Sequence, residues 1–223
     1  LTPQFSPIRF DALYFAILLP KNQSASIVEG ELTDGFWCTP TEALKGHQNG
    51  TYFITYPVLE TLRTLVDSGS DLKSASHQLI NKAPDAYPTA GGEMIRGIHI
   101  LPLSSATQGP IDSTNTFILG EKEAVIVDPG TNTEEGALAL IRYIQRMVQN
   151  GTTFKGIWLT HCRPDHIASA ARVATQFNLP VFAHSECAKR LPKEISVKGF
   201  LKDGDQFSLK LDEDRSAKWR ILH

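Results

Sequence analysis

A chain of 223 residues falls between one and two domains of about 150 residues. With 41% hydrophobic, 21% charged and 9% aromatic residues it can bury a sizeable core, which excludes a disordered polypeptide. Lys plus Arg number 22 and Asp plus Glu 24, a formal charge of −2, so the attraction that non-specific nucleic-acid binding needs is missing.

Cys38, Cys162 and Cys187 are widely spaced and odd in number. That is no disulfide framework, and it fits a reducing, cytoplasmic location. Cys38 and Cys187 read as buried free thiols. The longest apolar run, Ala12 to Leu19, is far shorter than the roughly 20 residues that span a bilayer, so no membrane partner is expected. No basic segment of a secretory signal precedes it. The chain begins at Leu1 rather than Met and stops at His223 after an apolar run, so either end is a candidate truncation.

In chain order, Arg9 to Leu19 reads as a central strand ended by Pro20, and Glu31 to Cys38 as a short aromatic strand. Thr39-Pro40-Thr41-Glu42 has the pattern of an N-cap with Pro at the first helical position, opening a helix to about Lys45. Pro57 opens a second helix with Val58, Leu59, Leu62, Leu65 and Val66 on one face, and Leu72, Ala75, Leu79 and Ile80 continue the helical period beyond Gly69. Pro84, Pro88, Gly91 and Gly92 mark a boundary near residue 90.

Beyond it the spacing predicts strands over Ile98 to Leu103, Thr114 to Leu119 and Glu123 to Val127, the last two a hairpin leading to Asp128-Pro-Gly130. Thr131 with Glu134 reads as a capping box for a helix carrying Leu138, Ile141, Ile144, Met147 and Val148, ended by Gly151. A buried strand from Gly156 to Thr160, a helix from about Asp165 to Phe177, a strand from Pro180 to Ala183 and a short helix from Ser185 to Leu191 follow. Two late strands lie near Gln206 to Leu211 and Lys218 to Leu222. The alternation indicates a layered α/β domain.

Thr160-His161-Cys162-Arg163-Pro164-Asp165-His166 joins the end of a buried strand to the start of a helix. Two imidazoles and a carboxylate on such rigid supports can converge on one divalent ion, and these are ligand types that catalytic Zn²⁺ takes while leaving a position for water. The alternative is structural: His161 ends the strand as a hydrogen-bonded residue while Asp165 caps the helix.

Asn115-Thr-Phe-Ile-Leu, Val125-Ile-Val-Asp-Pro-Gly130 and Leu159-Thr-His-Cys-Arg-Pro-Asp-His-Ile167, in that order, resemble the metallo-β-lactamase superfamily, whose signature is HxHxDH. Leu201-Lys-Asp-Gly-Asp-Gln-Phe207 resembles the family's strand leading to its later motifs. The resemblance runs from about residue 95 to the end. It implies an αββα sandwich and a hydrolase of thioesters, esters, lactams, phosphodiesters or related bonds in a small-molecule substrate. It also implies Zn²⁺, one ion rather than two, held by His161, Asp165 and His166, with Asp165 orienting the attacking water, and Asp128 as a structural residue beneath the metal.

Arg163 stands where the second motif histidine belongs. A guanidinium has no lone pair to give and repels a cation. Cys162 occupies the motif's variable position, where the side chain should point elsewhere, and His223 aligns with the residue before the family's TPGH segment rather than with its ligand. These departures leave a second reading, a catalytically inactive binding or regulatory homologue.

Arg9-Phe-Asp-Ala-Leu-Tyr-Phe-Ala, Glu31 to Leu44 with its Trp-x-x-Pro-x-Glu-Ala pattern, and the Pro57-led helix resemble the C-terminal half of a Nudix domain. No stretch supplies the glutamate-rich Nudix box, so diphosphate hydrolysis would need that box upstream. The expected organisation is therefore α/β throughout. Residues 1–88 form a partial Nudix-like unit, and residues 89–223 the N-terminal two-thirds of a metallo-β-lactamase-like domain. His184 reads as a helix cap, and His47, His77 and His99 as surface or satisfied core residues.

Overall fold

The structure, a computed structural model, describes residues 13–28, 30, 32–82, 91–105 and 113–222. They separate into two compact units, one with residues 13–82 and the other with residues 91–222.

The described secondary structure of the first unit is helical: α1 (Pro40–Gln48), α2 (Tyr56–Asp67) and α3 (Leu72–Lys82). Thr39 caps α1 reciprocally with Glu42, its hydroxyl accepting from the Glu42 amide while the Glu42 carboxylate accepts from the Thr39 amide. Helix α2 packs against both α1 and α3 and buries Leu59 and Thr64 completely. The expected strand from Arg9 to Leu19 begins outside the described residues, and Leu13 to Leu19 form no strand and are exposed, as are Leu32 to Cys38. An apolar run becomes a strand when a neighbour accepts its backbone bonds, and no described strand pairs with either segment. The exposure of Cys38 also corrects its reading as a buried thiol.

In the second unit β1 (Gly92–Ile95), β2 (Ile98–Ser104), β3 (Ser113–Gly120), β4 (Glu123–Val127), β5 (Thr153–Leu159), β6 (Val181–Ala183) and β7 (Val197–Phe200) form one sheet in that spatial order. β1 to β4 are antiparallel and β4 to β7 parallel. Side chains alternate across the strands, so each face takes its own set. On one face Ile118, Ala124, Ile126, Ile157, Leu159 and Val181 form a core with α4 (Glu134–Gln149), which contributes Leu140 and Ile144, and with Val173 of α6 (Ala170–Phe177). On the other, Val125 and Trp158 meet Leu209 and Trp219 of the ribbon β8 (Gln206–Lys210) and β9 (Ser216–Arg220). Helices, sheet and ribbon make three layers.

Strands β1 and β7 were not expected from the sequence. The capping box also shifts: Thr133, not Thr131, caps α4, and the buried Thr131 hydroxyl donates to the Ser104 carbonyl. The helix expected from Asp165 to Phe177 breaks into α5 (Pro164–Ile167) and α6. Ser169 causes the break, its amide donating to the Pro129 carbonyl and its hydroxyl to the Thr131 carbonyl.

Candidate metal centre

The carboxyl ends of parallel strands are where layered α/β sheets build sites, because the chain turns there and helices begin. Val127 of β4 pairs with Trp158 of β5, so Asp128 and Thr160, just past the two strand ends, meet. Asp128 adopts a left-handed backbone conformation with φ of 51°. Such a conformation is uncommon for a non-glycine residue but best tolerated by Asp and Asn.

The Asp128 carboxylate, only 5% exposed, accepts three hydrogen bonds. The Thr160 amide donates to Oδ1 at 2.8 Å, and the Thr160 hydroxyl and His166 Nδ1, the latter at 2.9 Å, donate to Oδ2. The Thr160 hydroxyl, having given its proton to Asp128, can only accept from His161 Nδ1, 2.8 Å away. One buried carboxylate thus fixes both imidazoles with the proton on Nδ1 and a lone pair on Nε2, the tautomer that metal-bound histidines take when a carboxylate orients them. The two rings lie 4.1 Å apart, centroid to centroid.

Asp128, His161 and His166 each offer a ligand atom, all within 4.8 Å of one another. Three of the roughly four lone-pair positions of the Asp128 carboxylate are already used. It is therefore better suited to orient the imidazoles than to ligate, and Asp165 is the other carboxylate beside them.

Helix α5 carries Asp165 and His166 and is pinned from below. Thr114 of β3 donates to the Asp165 carbonyl at 2.7 Å. Gly130 lies so close that an ideal Cβ there would sit 1.8 Å from that same oxygen.

Among the expected ligands, His161 and His166 come together. Asp165 lies beside them, its Oδ2 3.7 Å from His166 Nε2, but its carboxylate is engaged by Arg163 in two hydrogen bonds, Nε to Oδ1 at 3.2 Å and Nη2 to Oδ2 at 3.1 Å. Arg163 therefore does more than replace an expected histidine: it engages the carboxylate expected as a ligand two residues on. Cys162 packs against the helix-side core and is not in the Asp128, His161 and His166 group. His184 caps α7 (Ser185–Ala188) by accepting from the Glu186 amide. His223 lies outside the described residues. His77 is exposed, and His99 is buried against the Tyr143 hydroxyl. His47 corrects its expectation: it is 3% exposed, and neither ring nitrogen has a partner among the described residues. Thr160, Gly130 and Thr114 were not assigned roles from sequence; the position of Thr160 directly before His161 and of Gly130 directly after Asp-Pro was the available signal.

An uncharacterized protein of Mycobacterium tuberculosis and one of Mycobacterium bovis are each 38% identical to this chain over 73 residues, 31% of this chain. The match spans only 30% of the length of those relatives. Among solved structures, a metallo-beta-lactamase from Pontibacter korlensis aligns at 14% identity with a TM-score of 0.43, covering 53% of this chain and 55% of that one. The DIM-1 metallo-beta-lactamase exposed to ceftazidime aligns at 20% identity and a TM-score of 0.41, covering 54% of each chain. The family model of the metallo-beta-lactamase superfamily, by contrast, matches residues 109–221, from before β3 to the end of the ribbon and across every residue of the centre. By that match the chain belongs to the metallo-beta-lactamase superfamily.

Proposed function

We propose that residues 89–223 form the metal-binding part of a metal-dependent hydrolase that holds one Zn²⁺ through His161, Asp165 and His166 and cleaves a thioester, ester or related bond in a small molecule. The observation that carries this reading is the relay from Asp128 through Thr160 to His161 and directly to His166, which engages both Nδ1 atoms and leaves the Nε2 lone pairs for a metal. Two neutral imidazoles and a carboxylate suit zinc. When bound, zinc supplies a Lewis acid and lowers the pKa of its water toward neutrality.

The chain's own residues then have distinct tasks. His161 and His166 donate nitrogen lone pairs, and Asp128 keeps their rings from rotating. Asp165 takes the proton of the attacking water on a carboxylate oxygen. Arg163 aims the Asp165 carboxylate through its two hydrogen bonds, and the charge it brings beside the centre favours one metal ion over two.

The test is zinc titration calorimetry on chelator-stripped, reduced protein. One equivalent is expected to bind, His166→Ala to abolish it, and Asp128→Asn to weaken it about 10- to 100-fold, the usual cost of losing an orienting partner. Absence of zinc binding by the parent sinks the reading.

The bidentate Arg163–Asp165 pair favours a second reading, a catalytically inactive binding homologue in which the arginine has taken over the ligand. Arg163→His then creates zinc binding that the parent lacks. Tight binding by the parent excludes it.

A further inference from the structure

Strands β5 and β6 are paired in parallel with Leu159 opposite Ala183, so the loops leaving them run side by side. One loop carries Cys162 directly after His161; the other enters α7, which carries Cys187. Cys187 is a member of the helix-side core, and half-buried Cys162 packs against that same core. Both are free thiols. The Cys187 thiol is pushed up to about 11, first by burial and then by the Cys162 thiol beside it. Cys187 therefore stays protonated and shielded, and Cys162, the more open of the two, is the one an oxidant reaches.

We propose that Cys162 and Cys187 are a redox-modification site whose disulfide switches the metal centre off, an inference that rests on the metal reading above. A peroxide oxidises Cys162 to a sulfenic acid, its O–O bond breaking as one oxygen joins sulfur and the other leaves as water or alcohol. The Cys187 sulfur then attacks the sulfenic sulfur. Its proton leaves with the hydroxyl as water, and the S–S bond closes with two electrons passed in total from the thiols to the peroxide. A protonated attacking thiol makes the second step slow.

Bonding at about 2 Å draws the two sulfurs inside their contact distance. Cys162 has only one peptide bond between it and His161, so the pull acts on the imidazole that Thr160 holds at 2.8 Å. The expected consequence is loss of the His161 position, with Asp128 and His166 left in place. A reducing setting keeps the centre competent; peroxide closes it.

The experiment uses the Cys38→Ser protein, which removes the exposed thiol, treated with hydrogen peroxide and read by intact mass, peptide mapping and zinc titration. The protein is expected to lose the mass of two hydrogens and to yield a peptide linking Cys162 to Cys187. Its zinc affinity should fall at least about tenfold, as for loss of an orienting contact, and dithiothreitol should restore both. Cys162→Ser and Cys187→Ser should each prevent the link. Added oxygen without a link overturns the proposal, and so does a link that leaves zinc affinity unchanged. If the reduced protein binds no zinc, the metal reading fails and the switch with it, whereas the linked peptide still decides the cysteine pair independently.

Discussion

Two buried polar side chains, Asp128 of the second unit and His47 of the first, are treated in opposite ways. Around Asp128 each donor meets an acceptor: the Thr160 amide and hydroxyl, His161, His166, Ser169 and Thr114 are all engaged. In the helical unit His47 is as buried as Asp128, yet both its ring nitrogens lack a partner among the described residues. Leaving a buried polar group unpaired costs about 1–3 kcal/mol. The difference lies in the supports. Parallel strand ends deliver successive loops to one place, so a carboxylate on one finds donors on the next; His47 lies near the end of α1, which packs against α2 and whose Gly46 lies under the Tyr52 ring.

The largest expected effect comes from disturbing the support of the centre. Gly130→Ala puts a methyl where the Asp165 carbonyl oxygen stands, and backbone on both sides leaves no flexible end to give way. Helix α5 must shift. Overpacking of this kind costs about 1–3 kcal/mol, read as a lower urea midpoint, and zinc titration of the same variant should show weakened binding because Asp165 and His166 ride on that helix. Unchanged stability would mean that α5 is not seated on the Asp-Pro-Gly turn and would remove the contrast with the first unit.

His47→Leu should act in the other direction. The substitution replaces an unpartnered imidazole by an apolar side chain of similar size, and relieving a buried unsatisfied group is expected to gain on the order of 1 kcal/mol. Urea unfolding of the variant against the parent measures it. A loss of more than about 1 kcal/mol would show that His47 has a partner, such as an ordered water, and that His47 and Asp128 are satisfied alike.

Much of the second unit was legible because two periods are written plainly in it. Ala124, Ile126 and Val125, Val127 alternate across β4, and the face expected along α4 holds at the buried Ile141 and Ile144, though Val148 is exposed and buried Leu140 was not expected. His161, Asp165 and His166 were visible as a motif. What joins them was not: the Thr160 hydroxyl acts through a three-dimensional chain that begins 32 residues away at Asp128. Strand β7 was missed because it is short, with Val197 and Gly199 half-buried and Lys198 and Phe200 exposed, and pairing to β6 alone makes it a strand. Thr131 and Thr133 look equally able to cap α4; both hydroxyls donate to the Ser104 carbonyl, and it is that of Thr133 that also accepts from the Gly136 amide. Leu13 to Leu19 failed for the converse reason. Apolarity was legible, but a pairing partner is a property of the rest of the chain.

The smallest expected effect tests whether partnering extends to the far end of the second unit. Arg96, its side chain 10% exposed, bonds Glu121 at the β3–β4 turn and Asp212 at the β8–β9 turn, the latter at 2.8 Å. The Arg96 guanidinium holds the Asp212 carboxyl far below its ordinary value of 3.8, aided by Arg215. A depressed folded value means that the unfolded chain takes up the proton first, so the contribution of Asp212 is fully present above its ordinary value and is lost as pH falls through the folded one. Glu121 opposes this, since burial and neighbouring Glu93 raise it above 4.5, and its contribution is lost as pH rises. Comparing the parent with Asp212→Asn cancels Glu121 to first order. The parent should be the more stable at neutral pH, and its advantage in urea unfolding should shrink progressively below about pH 4, where the unfolded Asp212 becomes protonated. A difference that stays constant down to about pH 3 would mean that Asp212 gains nothing from Arg96 beyond what solvent gives it, as many exposed ion pairs do, and partnering would then be a property of the strand-end centre rather than of the whole unit.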